Sequence, residues 1–196
     1  MENQLSRIFL PIILGTNRKE RKSVFVANWL RGEMEKRADI ETRLFDVADF
    51  ALPQDDYGQA VKDMFPEWRD AIIRADGLVI VTPEYNHGYP GALKSVLDLL
   101  LKEYVHKAVA LVGVSGGTFG GTRVIESLVP MVRELGLDVT FADLNFPKVQ
   151  EKFDQNGALL DSAYEKRAKD FLDELVWMSR ALKWGRENLP SKHHPR

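Results

Sequence analysis

Gly77-Leu78-Val79-Ile80-Val81-Thr82 is an almost unbroken apolar run, and Ala108-Val109-Ala110-Leu111-Val112-Gly113-Val114 is a second. A strand with one face in water alternates apolar and polar residues. Runs without alternation predict strands covered on both faces, as in parallel sheets lying between layers of helix. Upstream of them, Arg7 to Leu14 reads as a strand, Ser23 to Arg37 as a helix, Ile40 to Val47 as a second strand and Met64 to Arg74 as a second helix. An irregular stretch with Pro53, Asp55, Asp56 and Gly58 separates the last two. Further along, Gly91 to Leu101 and Thr122 to Leu135 have helical period, Leu137 to Phe141 is a fifth strand, and Ser162 to Trp184 is a closing helix. Only Phe141 to Ala163 lacks a clear period.

The resulting βαβαβαβαβα order predicts an α/β fold, a three-layer sandwich around a five-stranded parallel sheet. Right-handed crossovers leave few topologies, and the flavodoxin-like strand order 2-1-3-4-5 leads among them. With 196 residues, one domain is expected, over residues 1–185, with 186–196 a disordered tail that carries His193 and His194. The balance of 27 Lys and Arg against 29 Asp and Glu, a net charge of −2, gives no reason to expect nucleic acid or an anionic membrane as partner. No apolar run approaches the roughly 20 residues of a membrane helix, so no membrane partner and a cytoplasmic location are expected. The chain has no cysteine, which removes thiol nucleophiles, disulfides and thiolate metal sites, so redox chemistry would have to come from a bound cofactor. No histidine pair has zinc-protease spacing, and no metal site is expected.

An open parallel sheet binds ligands beyond the carboxyl ends of its strands, at the switch point; in this order that is between the first and third strands. The loops there are the most unusual segments of the chain. In Gly15-Thr16-Asn17-Arg18-Lys19-Glu20-Arg21-Lys22-Ser23, Gly15 permits a tight turn, and Thr16, Arg18 and Ser23 donate hydrogen bonds beside the free N–H groups of a helix start, which suits a phosphate. Alternatively, Ser23 is a helix N-cap and the basic residues are a solvated loop. Neither a Walker loop nor G-x-G-x-x-G is present. In Thr82-Pro83-Glu84-Tyr85-Asn86-His87-Gly88-Tyr89-Pro90-Gly91, backbone amides, the Asn86 amide and two tyrosine rings suit a flat heteroaromatic ring; alternatively, its prolines and glycines only shape a turn, with Pro90 opening the next helix. The glycines of Ser115-Gly116-Gly117-Thr118-Phe119-Gly120-Gly121 either turn N–H groups toward a ligand or make a flexible turn.

Thr82-Pro83-Glu84-Tyr85-Asn86, with Gly88, Pro90-Gly91-Ala92-Leu93-Lys94 and Asp98, resembles the signature of the NADPH-dependent FMN reductase family. Gly15-Thr16-x-Arg18 with Ser23 resembles that family's phosphate loop, but with a longer run from Arg18 to Ser23, which leaves Lys19 to Lys22 without an assigned role. Asp46 with Leu52-Pro53 resembles that family's stretch after the second strand, and Ser115-Gly116-Gly117 its loop near the flavin ring, and the likeness spans residues 7–145. The resemblance implies the flavodoxin-like fold, bound FMN as cofactor, NADPH as hydride donor and a small-molecule electron acceptor. It implies that Thr16, Arg18 and Ser23 hold the FMN phosphate, that Pro83, Glu84, Tyr85 and Asn86 line the isoalloxazine edge, and that Ser115, Gly116 and Gly117 flank the ring's other side. No side-chain acid or nucleophile is needed, because the flavin carries the chemistry. Glu84 has an alternative role in bracing its loop, and His87 is either a contact to acceptor or nicotinamide or an exposed turn residue.

The helix from Gly91 is apolar almost all round (Leu93, Val96, Leu97, Leu99, Leu100, Leu101), and the next carries Val124, Ile125, Leu128 and Met131. Either these faces are simple core, or they leave apolar surface for a partner. The resemblance implies a homodimer through these two helices, or a dimer of dimers. Trp177 and Trp184 are expected to pack. The rival readings are a single-electron flavodoxin and a flavin-binding module without turnover.

Overall fold

The computed structural model describes residues 6–52 and 61–193; the irregular stretch from Pro53 to Gly58, and His194, lie outside the described residues. The first strand is Ile8–Phe9 (β1) and Ile12–Leu14 (β2), interrupted at Pro11, which has no N–H to give a ladder. The second is likewise split into Ile40–Glu41 (β3) and Leu44–Asp46 (β4). The register runs through both gaps: Ile8 faces Ile40 and Ile12 faces Leu44, and Leu10 N–H donates to the Glu41 carbonyl at 2.9 Å. The central strands are Gly77–Pro83 (β5) and Lys107–Val114 (β6), buried at every position as their unbroken apolar runs require.

The sheet order β4-β2-β5-β6, followed by Leu137–Val139 (β7), is the expected 2-1-3-4-5, parallel throughout. The fifth position is a correction. It was expected as one strand to Phe141, but it stops at Val139 and resumes as Leu144–Phe146 (β8), which makes six strands in the sheet. Between the two segments β6 advances from Val109 to Val112 while the facing chain advances from Val139 to Leu144, two residues more. Thr140 closes this bulge by donating its N–H to the Val109 carbonyl at 3.0 Å, and Phe141 is thrown outward, 97 % exposed. The bulge returns Leu144 and Phe146 to the core, so the end of β6 keeps a paired neighbour.

Helices Ser23–Glu35 (α1) and Ala163–Asn188 (α5) cover one face of the sheet. Helices Pro66–Arg74 (α2), Gly91–Leu97 (α3) and Thr122–Glu134 (α4) cover the other. The division follows from the two-residue period of a strand: Val79 and Val81 point to α1 and α5, while Leu78 and Ile80 point to α2, α3 and α4. No described helix is long and apolar enough to cross a membrane.

Helix α3 ends sooner than its apolar run suggested. Leu99 and Leu100 donate N–H bonds only three residues back, to Val96 and Leu97, and this tightened turn swings both side chains into the core. Leu93, Val96, Leu97, Val124, Ile125 and Leu128 are likewise buried within this chain, so the apolar surface expected there is core; Leu101, 57 % exposed, is the exception in α3's run. Helix α5 runs to Asn188, through the start of the expected tail, because its last turns are tied to the sheet. Lys183 Nζ and Arg186 Nη2 reach Asp76 Oδ1 at 3.0 and 3.4 Å, and Arg186 Nη1 donates to the His106 carbonyl at 2.6 Å. Trp177 and Trp184 do not pack: they are 68 % and 59 % exposed. Trp177 lies about 200° around the helix from buried Leu175, at roughly 100° per residue.

Candidate functional site

Beyond the carboxyl ends of β2, β5 and β6 lies a cavity of about 360 Å³. Its wall includes Arg18, Lys19, Glu20, Arg21, Lys22 and Ser23 from the first loop, Pro83, Glu84 and Tyr85 from the second, Ser115 and Gly116 from the third, and Val149 and Gln150. A second cavity, of about 330 Å³, sits at the sheet edge between β4 and α2 and is lined by none of these loops.

Gly15 gives the first loop its direction through close approach. A Cβ there would lie 2.9 Å from Leu93 Cδ2 and 3.1 Å from Thr82 Oγ1, so only glycine lets the chain leave β2 between β5 and α3. Thr16 is fully buried and outside the cavity wall. Its Oγ1 shares a 3.0 Å hydrogen bond with the Tyr85 hydroxyl and accepts the Arg18 N–H at 3.3 Å, so it braces two other site residues. The Arg18 guanidinium lies 5.6 Å from the centre of the Tyr85 ring. The loop then turns through Glu20 in the left-handed region, φ +57°, and is pinned where Arg21 pairs with Asp46 at the end of β4.

Ser23 opens α1 without capping it. The cap position is Lys22, which makes no side-chain cap bond, and Ser23 is 2 % exposed with its Oγ unpartnered. A buried hydroxyl without a partner is costly, and this one lines the cavity at a helix N-terminus where backbone N–H groups also lack partners. Among the described residues, no carboxylate pairs with Arg18, Lys19 or Lys22. An electropositive recess with an orphan donor at a helix start fits an anionic phosphate.

The second loop extends the sheet and then reverses. Glu84 N–H donates to the Val114 carbonyl at 2.9 Å, and Tyr85 and Gly88 exchange both backbone bonds, at 2.9 and 3.0 Å. Asn86 and His87 form the turn between them, with φ +50° and +64°, as a type I′ reversal demands. Both are exposed, and neither lines the cavity: Asn86, expected at the ring edge, is a turn residue, and so is His87. Pro90 is the N-cap of α3, one position earlier than expected.

The third loop supplies a flat backbone wall. Ser115 N–H donates to the Phe146 carbonyl at 3.0 Å, and Ser115 Oγ donates to the Gly117 carbonyl at 2.9 Å. A methyl group on Gly116 would meet only Gln150 Oε1, at 3.7 Å, so the space beside it is open to a planar ring. Gly117 is exposed and outside the wall; its carbonyl accepts the Lys148 N–H at 2.8 Å. That bond, with Val149 N–H on the Ser115 carbonyl at 3.0 Å, carries Val149 and Gln150 into the site. Sequence periodicity gave no signal for these two. The basic run Lys19 to Lys22, left without a role, lines the cavity along its whole length.

A parallel 2-1-3-4-5 sheet, with a cavity lined by basic residues at its switch point, defines a flavodoxin-like α/β fold. The family model for the NADPH-dependent FMN reductases matches residues 10–151, and the chain belongs to that family. It is 34 % identical over 122 residues to an NADPH azoreductase of Bacillus sp. (strain OY1-2), an alignment covering 61 % of this chain and 65 % of that one. It is 30 % identical over 176 residues to an FMN-dependent NADPH-azoreductase of Staphylococcus aureus, covering 84 % and 92 % respectively. Among solved structures, FerB, a flavoenzyme NAD(P)H:(acceptor) oxidoreductase from Paracoccus denitrificans, shares the fold with a TM-score of 0.74 at 21 % identity, over 89 % of this chain and 98 % of that one.

Proposed function

We propose that this chain is an FMN-dependent NAD(P)H oxidoreductase, acting in the cytoplasm on a flat small-molecule acceptor such as an azo compound, a quinone, free flavin or a metal oxyanion. The observation that carries the proposal is the buried, unpartnered Ser23 Oγ at the first turn of α1, opening on a cavity lined by Arg18, Lys19 and Lys22, which have no carboxylate partner among the described residues. When bound, FMN supplies the two-electron chemistry, taking hydride from NADPH and passing the electrons on to the acceptor in a ping-pong cycle.

The side chains hold and orient. Ser23, Arg18 and the free N–H groups of α1 bind the phosphate, and the family's electron donor and cofactor both fit a site of this charge. Thr16 acts at one remove, fixing the Tyr85 ring through its hydroxyl. Pro83, Glu84 and Tyr85 form one wall of the ring slot, and Ser115 and Gly116 the other, with Gln150 Nε2 holding the Gly116 carbonyl at 3.2 Å. A homodimer, or a dimer of dimers, belongs to the proposal through exposed apolar residues on or beside α3 and α4, Leu101, Phe119 and Val129; a monomer in sedimentation at micromolar concentration would remove it.

The decisive test is the absorption spectrum of the purified protein, reconstituted with FMN, before and after anaerobic NADPH. Bound flavin that bleaches rapidly supports the reading. A protein that neither retains nor takes up FMN refutes it, and bound flavin that NADPH does not reduce returns the chain to an electron carrier or a binding module.

A further inference from the structure

Arg123, the second residue of α4, lies outside every loop so far assigned to the site, yet it reaches across to the cavity wall. Its Nη1 stands 3.4 Å from Glu84 Oε1, and its guanidinium stacks 4.1 Å from the centre of the Phe119 ring. The placement is built in. A Cβ on Gly113 would come within 2.7 Å of the Gly121 carbonyl oxygen, and one on Gly121 within 2.5 Å of Val114 N, so the start of α4 is pressed onto the end of β6. Gly121 takes φ +80° to begin the helix there. Glu84 is docked on the same strand end, through its N–H on the Val114 carbonyl. The two side chains are therefore brought together by backbone packing.

Among the described residues, Glu84 is the only carboxylate lining the cavity apart from Glu20. Its side chain is 10 % exposed, and Oε2 has no partner, so Arg123 engages one of its two oxygens. A buried carboxylate is tolerated when a cation compensates it. Reduction of the flavin by NADPH, FMN + NADPH → FMNH⁻ + NADP⁺, places one negative charge on the ring. A carboxylate in the wall opposes that charge, and a cation paired with it restores the balance.

We infer that Arg123 is a positioning residue that compensates Glu84 and so sets how strongly the cavity favours reduced over oxidised flavin. The inference rests on the flavin reading above and adds a residue from a different element. It predicts shifts of opposite sign. In Arg123→Gln the uncompensated carboxylate should weaken reduced FMN relative to oxidised FMN by tenfold or more, which lowers the two-electron midpoint potential by about 30 mV per factor of ten. In Glu84→Gln the cation remains without its carboxylate, and the potential should rise. The double variant should return toward the wild type, and Arg123→Lys, which keeps the charge, should stay near it.

The measurement is a spectroscopic potential titration of the reconstituted holoprotein against a reference dye. A purely structural tie between the second loop and α4 would be cut by either substitution, so both single variants would move the same way. A shift of the same sign in both, or no shift in either, overturns the inference. Should Arg123→Gln fail to fold, Glu84→Gln and Arg123→Lys decide the matter: a potential that does not rise in the first, or that falls in the second as it would with the charge lost, overturns it. Failure of the wild type to bind FMN would instead refute the functional reading on which the inference depends.

Discussion

Replacing Ser23 by alanine should have two effects of opposite sign. Ser23 is 2 % exposed and its hydroxyl has no hydrogen-bond partner within the chain, so without FMN folding strips it of water with no return. Such a group costs about 1–3 kcal/mol, and removing it without leaving a large void should recover part of that cost. A gain of about 1 kcal/mol would raise the melting temperature of a chain this size by roughly 2–4 °C. With FMN present the same oxygen should donate to a phosphate, a charge-assisted bond of about 1.5–3 kcal/mol, so its loss should weaken FMN binding roughly 10- to 100-fold. The assay is a pair of melts on wild type and variant, without FMN and with a fixed excess of it, with FMN affinity measured separately by fluorescence quenching. Each factor of ten in affinity removes about 1.4 kcal/mol of ligand stabilisation at saturating FMN. The melting curves should therefore cross: the variant more stable alone, less stable with FMN. An apoprotein destabilised by the change, with FMN affinity intact, would mean that Ser23 serves the helix after all and would refute the reasoning.

Other substitutions separate site from scaffold. Gly15→Ala puts a methyl group 2.9 Å from Leu93 Cδ2 and 3.2 Å from buried Thr82 Cβ, and should cost about 1–3 kcal/mol in urea unfolding through overpacking. His87→Gly relieves a side chain held at φ +64° in an exposed turn; it should raise stability by about 0.5 kcal/mol and leave FMN affinity unchanged, because His87 does not line the cavity. Lys107, buried at the start of β6 with Nζ on the carbonyls of Ile72 and Ile73, is pushed down to about 8 by burial, helped by the nearby Arg186 charge. Its folded pKa lies below the 10.5 of the unfolded chain, so between pH 8 and 10.5 the unfolded state holds more protons, and stability should rise with pH by as much as about 3 kcal/mol from this group. Lys107→Met should flatten that rise in urea titrations from pH 7.5 to 9.5; an unchanged slope would show that Lys107 is not its source. The range stops short of Tyr104, whose hydroxyl is raised well above 10 by burial and would contribute the opposite slope at higher pH.

The sheet was legible because complete burial leaves a record in every residue of a strand. Val79 and Leu78 had to be apolar for opposite faces, and the unbroken runs of β5 and β6 follow directly. Where the fold departs from that reading, the cause is local backbone geometry. Pro11 interrupts β1 and β2 without changing their register, and the bulge at Thr140 inverts the face of Phe141 by adding two residues to one side of a ladder. A period-two pattern cannot announce such an insertion in advance, since Leu137, Val139 and Phe141 fit an uninterrupted strand equally well. The end of α3 was hidden for a related reason. Leucines continue from Leu97 to Leu101, broken only by Asp98, and only the tightened turn decides that Leu99 and Leu100 face inward while Leu101 faces water.

Site legibility follows the same division. Arg18, Ser23, Pro83, Glu84, Tyr85, Ser115 and Gly116 line the cavity because they leave the ends of β2, β5 and β6, positions that strand order alone places together. Thr16 and Asn86 were chosen by residue type and sit in the right loops, but type says nothing about direction: Thr16 turns inward to Tyr85, and Asn86 takes the left-handed backbone of the reversal. Val149 and Gln150 could not be read at all. They are delivered by bonds between Lys148 N–H and the Gly117 carbonyl, and between Val149 N–H and the Ser115 carbonyl, and every residue except proline can supply such a donor. Arg123 belongs to this last group as well. Its position depends on two glycines, Gly113 and Gly121, that let α4 touch β6, so the sequence signal for a charged residue paired with the cavity wall lies in a pair of missing side chains eight residues apart. The pairing follows from them: adding a methyl group at either glycine should move α4 off the strand end and separate Arg123 from Glu84 without altering either charged residue.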